Sequence, residues 1–331
     1  LGAVILLTTN LVEGYFIITT DGLIFEVKGI VHPRDRVIAY LRYVPTPNGY
    51  QKVYDLNERE NYLRTNYSSY LWFSEPHGRV VQSVPNTSIK TILSPIDCLT
   101  SLRNSIEEIT DLEQASVNLA EKLVKSTGIE ISDIGITGSQ LIGIAKKSSD
   151  IDLVVYGSKT CQEFYSRLSQ NISSIVGIQR YTGRLLDDHV SFRWGAHKEL
   201  KSLLREIEQA KVLQGLFEGY DFFIRLVKTA DDLDYVYGDF SFQMKGQNLV
   251  SGIVTEDSNS IFTPCEYLVE CSEIPNLRKL VSYRGRFTEQ ISKGKSFEAQ
   301  GRLEMVKNHK DEDQYLQLVM GELPTDYLIP I

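Results

Sequence analysis

Ile134-Gly135-Ile136-Thr137-Gly138-Ser139, and then, eleven residues on from Gly138, Ser149-Asp150-Ile151-Asp152-Leu153-Val154-Val155-Tyr156, is the stretch that decides how this 331-residue chain reads. Two apolar runs separated by a Gly-Ser turn predict strand, turn and strand. Side chains alternate between the faces of a strand, so Asp150 and Asp152 point the same way. Two carboxylates on one side can hold a divalent metal through oxygen ligands, which hard Mg²⁺ prefers. The Gly-Ser turn, ahead of a predicted helix opening at Gly138, offers backbone N–H groups and a hydroxyl to a phosphate. In an arbitrary chain either motif alone is usually a loop or a solvated strand end. Together, at this spacing and between apolar strands, they are the equipment of phosphoryl or nucleotidyl transfer.

Those residues resemble the core motif of the DNA polymerase β-like nucleotidyltransferase superfamily, in which an apolar strand and Gly-Ser are followed by Asp-x-Asp in the next strand. The resemblance covers about 25 residues directly. The whole chain also looks like uncharacterised archaeal proteins that carry such a domain. The resemblance implies a metal-dependent nucleotidyltransferase of the EC 2.7.7 type. It would transfer NMP from an NTP to an acceptor with Mg²⁺ or Mn²⁺, held by Asp150 and Asp152. Gly138 would admit close backbone approach, and Ser139 would bond a β- or γ-phosphate. Members of the superfamily usually carry a third carboxylate on a later strand, and Asp221, which opens Asp221-Phe222-Phe223-Ile224-Arg225, is the candidate catalytic and metal-binding residue. Asp187 and Asp188 compete with it but read as a helix-start or loop pair.

Composition sets outer limits. With 42% apolar and 24% charged residues, the chain reads as an ordinary globular protein of two or three domains. The early apolar run, Ala3-Val4-Ile5-Leu6-Leu7, is too short to span a bilayer and lacks a basic flank. No membrane association and a cytoplasmic location are therefore expected. The chain begins at Leu1 with no initiator Met, as a trimmed sequence would. Cys98, Cys161, Cys265 and Cys271 form no C-x-x-C pair, and the five histidines show no metal-ligand spacing, so zinc and a disulfide scaffold are not expected. Cys265 and Cys271 read as buried small apolar residues on one strand.

A net charge of −8 argues against general coating of nucleic acid. The charge is uneven, however. From Arg278 to Lys310 nine Lys or Arg face only Glu289, Glu298 and Glu304, a net +6 in a chain that is otherwise −14.

The expected organisation is α/β (α+β): a β-rich N-terminal domain at 1–95, a nucleotidyltransferase core at 96–232, and a small β-barrel of OB-like type at 233–331. In the first, Thr20-Asp21-Gly22 and His77-Gly78 mark hairpins, with a helix near 57–66. His32-Pro33-Arg34-Asp35-Arg36 reads as a polar turn. The core should open with one helix over 97–126 carrying Ile106, Ile109, Leu112, Leu119 and Leu123, and ending at Gly128. A long helix near 197–213 carries an apolar face on Leu200, Leu203, Leu204 and Ile207. Its opposite stripe of Lys198, Lys201 and Arg205 makes Lys198 and Lys201 candidate nucleotide-binding residues, although a solvated face is the commoner meaning of such a stripe. Lys146 and Lys147 are weaker candidates of the same kind. Asp231-Asp232-Leu233-Asp234 reads as a solvated acidic linker. Five strands, near 239–255, 264–271, 279–288, 296–306 and 314–320, suggest the barrel.

With Tyr283, Phe287 and Phe297 among its cations, that barrel suits an RNA or DNA partner through stacking and phosphate contacts. A non-catalytic nucleic-acid- or partner-binding protein that keeps the fold is the alternative to an enzyme.

Overall fold

The computed structural model describes residues 10–331, so the Ala3-Val4-Ile5-Leu6-Leu7 run lies outside the described residues. The chain is a mixed α/β structure that divides into two compact units, Leu1–Phe164 with Val227–Asp239, and Tyr165–Leu226 with Phe240–Ile331. Among the described residues no helix is long and apolar enough to cross a membrane.

In the first unit β1 (Phe16–Thr19) and β2 (Ile24–Val27) form the hairpin expected across Asp21-Gly22, with Gly22 at φ +78°. Next come β3 (Arg36–Thr46), β4 (Gly49–Lys52) and α1 (Leu56–Asn66), the helix capped by the Asp55 carboxylate. β5 (Leu71–Ser74) and β6 (Arg79–Pro85) make the hairpin around His77-Gly78, and β7 (Ile89–Leu93) completes a sheet ordered β5-β6-β3-β2-β1-β7, with β4 on β3. The His32 turn is built on its ring, which bonds the Leu11 carbonyl at 2.7 Å and accepts the Ile38 N–H at 3.2 Å. Burial lowers its pKa to about 4, so the ring serves as a neutral strut.

The single helix expected over 97–126 is in fact two. α2 (Pro95–Arg103) stops at Asn104, and α3 (Asp111–Thr127) starts afresh at Thr110. Thr110 and Glu113 bond each other's backbone N–H in a capping box, which stabilises a helix start inside the apolar pattern. Ile106 falls in the connection and is fully exposed, so it has no part in the core face. Gly128 ends α3 in the left-handed conformation, as expected. β8 (Ile134–Ile136), α4 (Gly138–Leu141), β9 (Ile151–Tyr156) and α5 (Ser158–Asn171) follow, and the chain leaves the first unit within α5. The acidic stretch at 231–234 is more than a solvated linker. The Asp232 carboxylate accepts from Thr229 N at 2.7 Å and from Ser158 N at 2.9 Å, which anchors the start of α5.

The second unit contains β10 (Ile178–Gln179), α6 (Gly183–Trp194), α7 (Lys201–Ala210), β11 (Gln214–Phe217) and β12 (Tyr220–Val227), with β11 antiparallel to both of its neighbours. The helix expected near 197–213 is shorter, since Lys198–Leu200 is a 3₁₀ turn and α7 ends at Ala210. Its apolar face is as expected. Leu204 and Ile207 are buried, with Leu200 and Leu203 packed beside them, and each buried aliphatic side chain contributes about 1.5–3 kcal/mol. Asp187 and Asp188 lie inside α6, a helix with little apolar periodicity, and Asp187 pairs with Arg205 at 3.1 Å.

Beyond it run β13 (Phe240–Glu256), β14 (Cys265–Glu270), β15 (Leu277–Ser282), β16 (Ser296–Asn308), β17 (Gln314–Met320) and β18 (Tyr327–Pro330). β13 pairs with both β14 and β16, β15 runs parallel to β17, and β17 joins β16. Cys265 is buried, while Cys271 falls just past the end of β14 and is half-buried; all four cysteines are free thiols.

Two expectations about this region are corrected. Phe287 and Phe297 have no exposed surface and belong to the core, so neither can stack on a base. Of the three aromatics only Tyr283 is exposed. Four of the nine cations of the basic segment are also paired within their own unit: Arg278 with Asp313, Lys279 with Glu266, Lys293 with Glu256, and Arg302 with Glu304 and Glu322. The linear count concealed these pairs because their acidic members come mostly from other strands.

A buried ionic network holds α6, α7 and β11 together. The Glu208 carboxylate accepts from Trp194 Nε1 at 2.8 Å, Lys211 Nζ at 2.8 Å, Gln214 Nε2 at 2.6 Å and His189 Nε2 at 3.1 Å. Burial alone would raise its pKa, yet Lys211, His189 and Arg193 hold it well below the usual 4.5. A depressed folded-state pKa stabilises the protein above the unfolded value and loses that contribution as pH falls through the folded one. Glu208→Gln should therefore cost about 3–5 kcal/mol near neutral pH by leaving Lys211 buried and unpaired. Below pH 4.5 the gap between the variant and the natural chain should narrow. Urea unfolding of both proteins across pH 3 to 7 checks this.

Candidate active site

β8 and β9 pair antiparallel, with Ile134 opposite Val155, Gly135 opposite Val154 and Ile136 opposite Leu153. One further ladder bond, from Thr137 N to the Asp152 carbonyl at 2.9 Å, carries the pairing up to the turn. The ladder thus delivers Gly138 to the side chain of Asp152. A Cβ placed on Gly138 would lie 2.2 Å from Asp152 Oδ2, so the carboxylate occupies the space that any other residue would fill. Gly138 is also at φ +68°, a conformation glycine adopts without strain.

At the start of β9 the burial alternates as the sequence requires. Ile151 and Leu153 have no exposed surface and Asp152 between them is half-buried, while Asp150, just before the strand, is exposed. Beside them the Ser139 hydroxyl is buried and makes no hydrogen bond. Such a group costs stability unless something pairs with it. The predicted helix after Gly138 is only the four residues of α4, so the cradle is the Gly-Ser turn itself and not a long helix dipole.

The turn is braced from several directions. Gln140 Nε2 donates to Ser116 Oγ at 2.8 Å, and Ser116 Oγ donates to the Leu112 carbonyl at 2.8 Å, which ties α4 to α3. Thr137 Oγ1 donates to the Gly14 carbonyl at 2.6 Å, and the Tyr156 hydroxyl to the Glu13 carbonyl at 3.1 Å, which fastens β8 and β9 to the segment before β1. Sequence reading missed Ser116, Gln140 and Gly14, because each acts across a long sequence separation and belongs to no motif.

Of the other candidates, Asp221, Lys198 and Lys201 belong to the second unit, and Lys146 and Lys147 to the first. Asp221 is in the second unit, exposed at the start of β12 opposite Leu216, and accepts a hydrogen bond from the Tyr181 hydroxyl. Lys198 and Lys201 are exposed in the second unit, at the 3₁₀ turn and the first residue of α7. Lys146 and Lys147 are exposed in the loop before β9. Among the described residues no three His, Cys, Asp or Glu side chains converge into a set that could hold a metal ion. Within the first unit, then, the protein offers a pair of carboxylates, and bound oxygens from elsewhere must complete any cation's shell.

Residues 117–213 match the nucleotidyltransferase domain family, so this part of the chain is a nucleotidyltransferase domain. The chain is also similar to an uncharacterized protein of Methanocaldococcus jannaschii, 27% identical over 326 residues that cover 92% of this chain and 94% of the relative. No solved structure matches the chain.

Gly138→Ala tests the central contact. Its methyl group cannot coexist with Asp152 Oδ2 where that atom now lies. Divalent-cation affinity should fall about tenfold or more, as when a ligand carboxylate loses its support. Titration with Mn²⁺, followed by water-proton relaxation, gives the comparison.

Proposed function

We propose that this protein is a metal-dependent nucleotidyltransferase that moves NMP from an NTP to a nucleophilic acceptor. The observation that carries the reading is the Asp152 carboxylate seated on the bare Cα of Gly138, next to a buried Ser139 hydroxyl that lacks a partner. These residues suit the metal the reading requires: two hard carboxylate donors two residues apart, one of them seated where a Cβ at residue 138 would collide with it.

Asp150 and Asp152 would hold Mg²⁺ or Mn²⁺, which when bound neutralises charge on the phosphates and on the leaving oxygen. Ser139 Oγ would donate to a β- or γ-phosphate oxygen, satisfying both groups. Gly138 lets the backbone come close to that phosphate. The acceptor oxygen forms a bond to the α-phosphorus, the bond from that phosphorus to the β-bridging oxygen breaks, and pyrophosphate leaves. The acceptor's proton passes to a base, and Asp221 is the candidate for that acceptor-side carboxylate.

The pairing of β13 with both β14 and β16, and the parallel β15 and β17, support reading 240–320 as an OB-like barrel. With Phe287 and Phe297 buried and four of the nine cations of the segment in ion pairs, support for a long polyanionic acceptor now rests on Tyr283 and the remaining local charge. The acceptor proposed is therefore a hydroxyl-bearing molecule, with RNA and DNA as two members to be tried. The alternative, a binding protein that keeps the fold without catalysis, has less support because both carboxylates and the Gly138-Ser139 turn are present.

The test is incubation of the full chain with each α-labelled NTP, Mg²⁺ or Mn²⁺, and cellular RNA, DNA, protein and small-molecule fractions. Labelled acceptor with release of pyrophosphate is expected, and its loss in Asp152→Asn. No labelling with any NTP and any fraction rejects the reading. Asp221→Asn should abolish transfer while leaving NTP binding largely intact; unchanged turnover removes Asp221 from the site.

A further inference from the structure

The N-terminal sheet has two buried faces. Ile17, Phe25, Val37, Ala39 and Leu41 occupy one. Phe16, Ile24 and Tyr43 occupy the other, where they pack with Leu141, Ile142 and Ile144, the residues immediately downstream of the Gly138-Ser139 turn.

Tyr43 is on the unexpected side. In a regular strand it would follow Val37, Ala39 and Leu41 onto the first face. The ladder slips instead: Phe25 stands opposite Leu41 but Ile24 stands opposite Tyr43, so Arg42 is the extra residue of a β-bulge. Val44 then takes the place on the first face that Tyr43 gives up. Bulges often re-aim a side chain beside a site, and this one turns Tyr43 towards the nucleotidyltransferase motif.

Packing alone does not account for a tyrosine there. A phenylalanine would fill the same apolar cluster without bringing a hydroxyl into it. The residue is only 4% exposed. That hydroxyl sits in the field of Arg42, Glu26 and Asp152. Burial, reinforced by the two carboxylates, pushes its pKa up to about 12, so it is a proton donor at neutral pH.

We infer that Tyr43 is a nucleotide-binding residue, whose O–H donates to a phosphate oxygen of the NTP held at Asp152, so that the N-terminal sheet forms one wall of the site. This rests on the nucleotidyltransferase reading above. It also assigns a task to the sheet, which the family match at 117–213 does not reach.

Tyr43→Phe keeps the ring and removes only the donor. Calorimetric titration of the full chain with the Mg²⁺ complexes of ATP, GTP, CTP and UTP in turn finds the one the natural protein binds best. For that nucleotide the variant should bind about tenfold more weakly, the loss expected of one hydrogen bond to a charged group. Melting temperature and the affinity for Mn²⁺ alone should be unchanged. Equal nucleotide affinity in the two proteins overturns the role of Tyr43 and leaves the nucleotidyltransferase reading standing. Weaker binding of Mn²⁺ alone overturns it too, since Tyr43 would then act on the carboxylates and not on the nucleotide. A natural protein that binds none of the four complexes overturns both readings together.

Discussion

The contact between the Asp152 carboxylate and the Cα of Gly138 is the constraint around which the first unit is organised. A carboxylate fits there only if residue 138 has no side chain and adopts a positive φ, and if β8 and β9 hold their register to within a fraction of an ångström. Register comes from the ladder that runs from Ile134 opposite Val155 up to the Thr137 N–H on the Asp152 carbonyl. A slip of one residue would turn both carboxylates into the core and Ile151 and Leu153 into solvent. The apolar content of β9 therefore defends the geometry of its polar residues.

Holding that hairpin in place falls to elements far off in sequence. Gly135 at the middle of β8 lies so close to Pro95 and Ile96 at the start of α2 that a Cβ would sit 2.5 Å from the Pro95 carbonyl carbon. α3 reaches the turn through Ser116 and Gln140, and the segment before β1 reaches it through the carbonyls of Glu13 and Gly14. These bonds are buried, and a low local dielectric strengthens them. The N-terminal sheet is thus bound to the motif by polar struts on one edge and by the Phe16, Ile24 and Tyr43 face on another.

What the sequence disclosed and what it concealed follow from the range of the interactions involved. The strand-turn-strand motif, the hairpins at Asp21-Gly22 and His77-Gly78, the cap at Gly128 and four of the C-terminal strands are all set by residues within about one turn or one hairpin of each other. Period and turn chemistry reveal these. The strand read at 279–288, by contrast, is Leu277–Ser282, and β18 was not read. The break before Thr110 was also local, but the capping box competes with an apolar pattern that passes through Ile106, and the pattern alone favours one helix. α6 and β11 were overlooked because neither carries a clean period. Long-range facts stayed hidden. The burial of Phe287 and Phe297, the pairing of Arg278 with Asp313 and of Arg302 with Glu322, and the capping by Asp232 all depend on partners 20 or more residues away. The bulge at Arg42 is the sharpest case, since alternation assigns Tyr43 to the wrong face unless the register with β2 is known.

Two features that ask for explanation meet at the Gly138-Ser139 turn. A buried Ser139 hydroxyl with no partner and a carboxylate lodged against backbone both cost stability in the folded protein. A sequence under no constraint but folding would remove both, and each removal is a single substitution. Elsewhere the second unit satisfies even a buried glutamate with four donors. Under the nucleotidyltransferase reading, the partner of the Ser139 hydroxyl would come from outside the chain. Oxygen-rich and anionic, a triphosphate would answer that hydroxyl and, through its cation, the carboxylates as well.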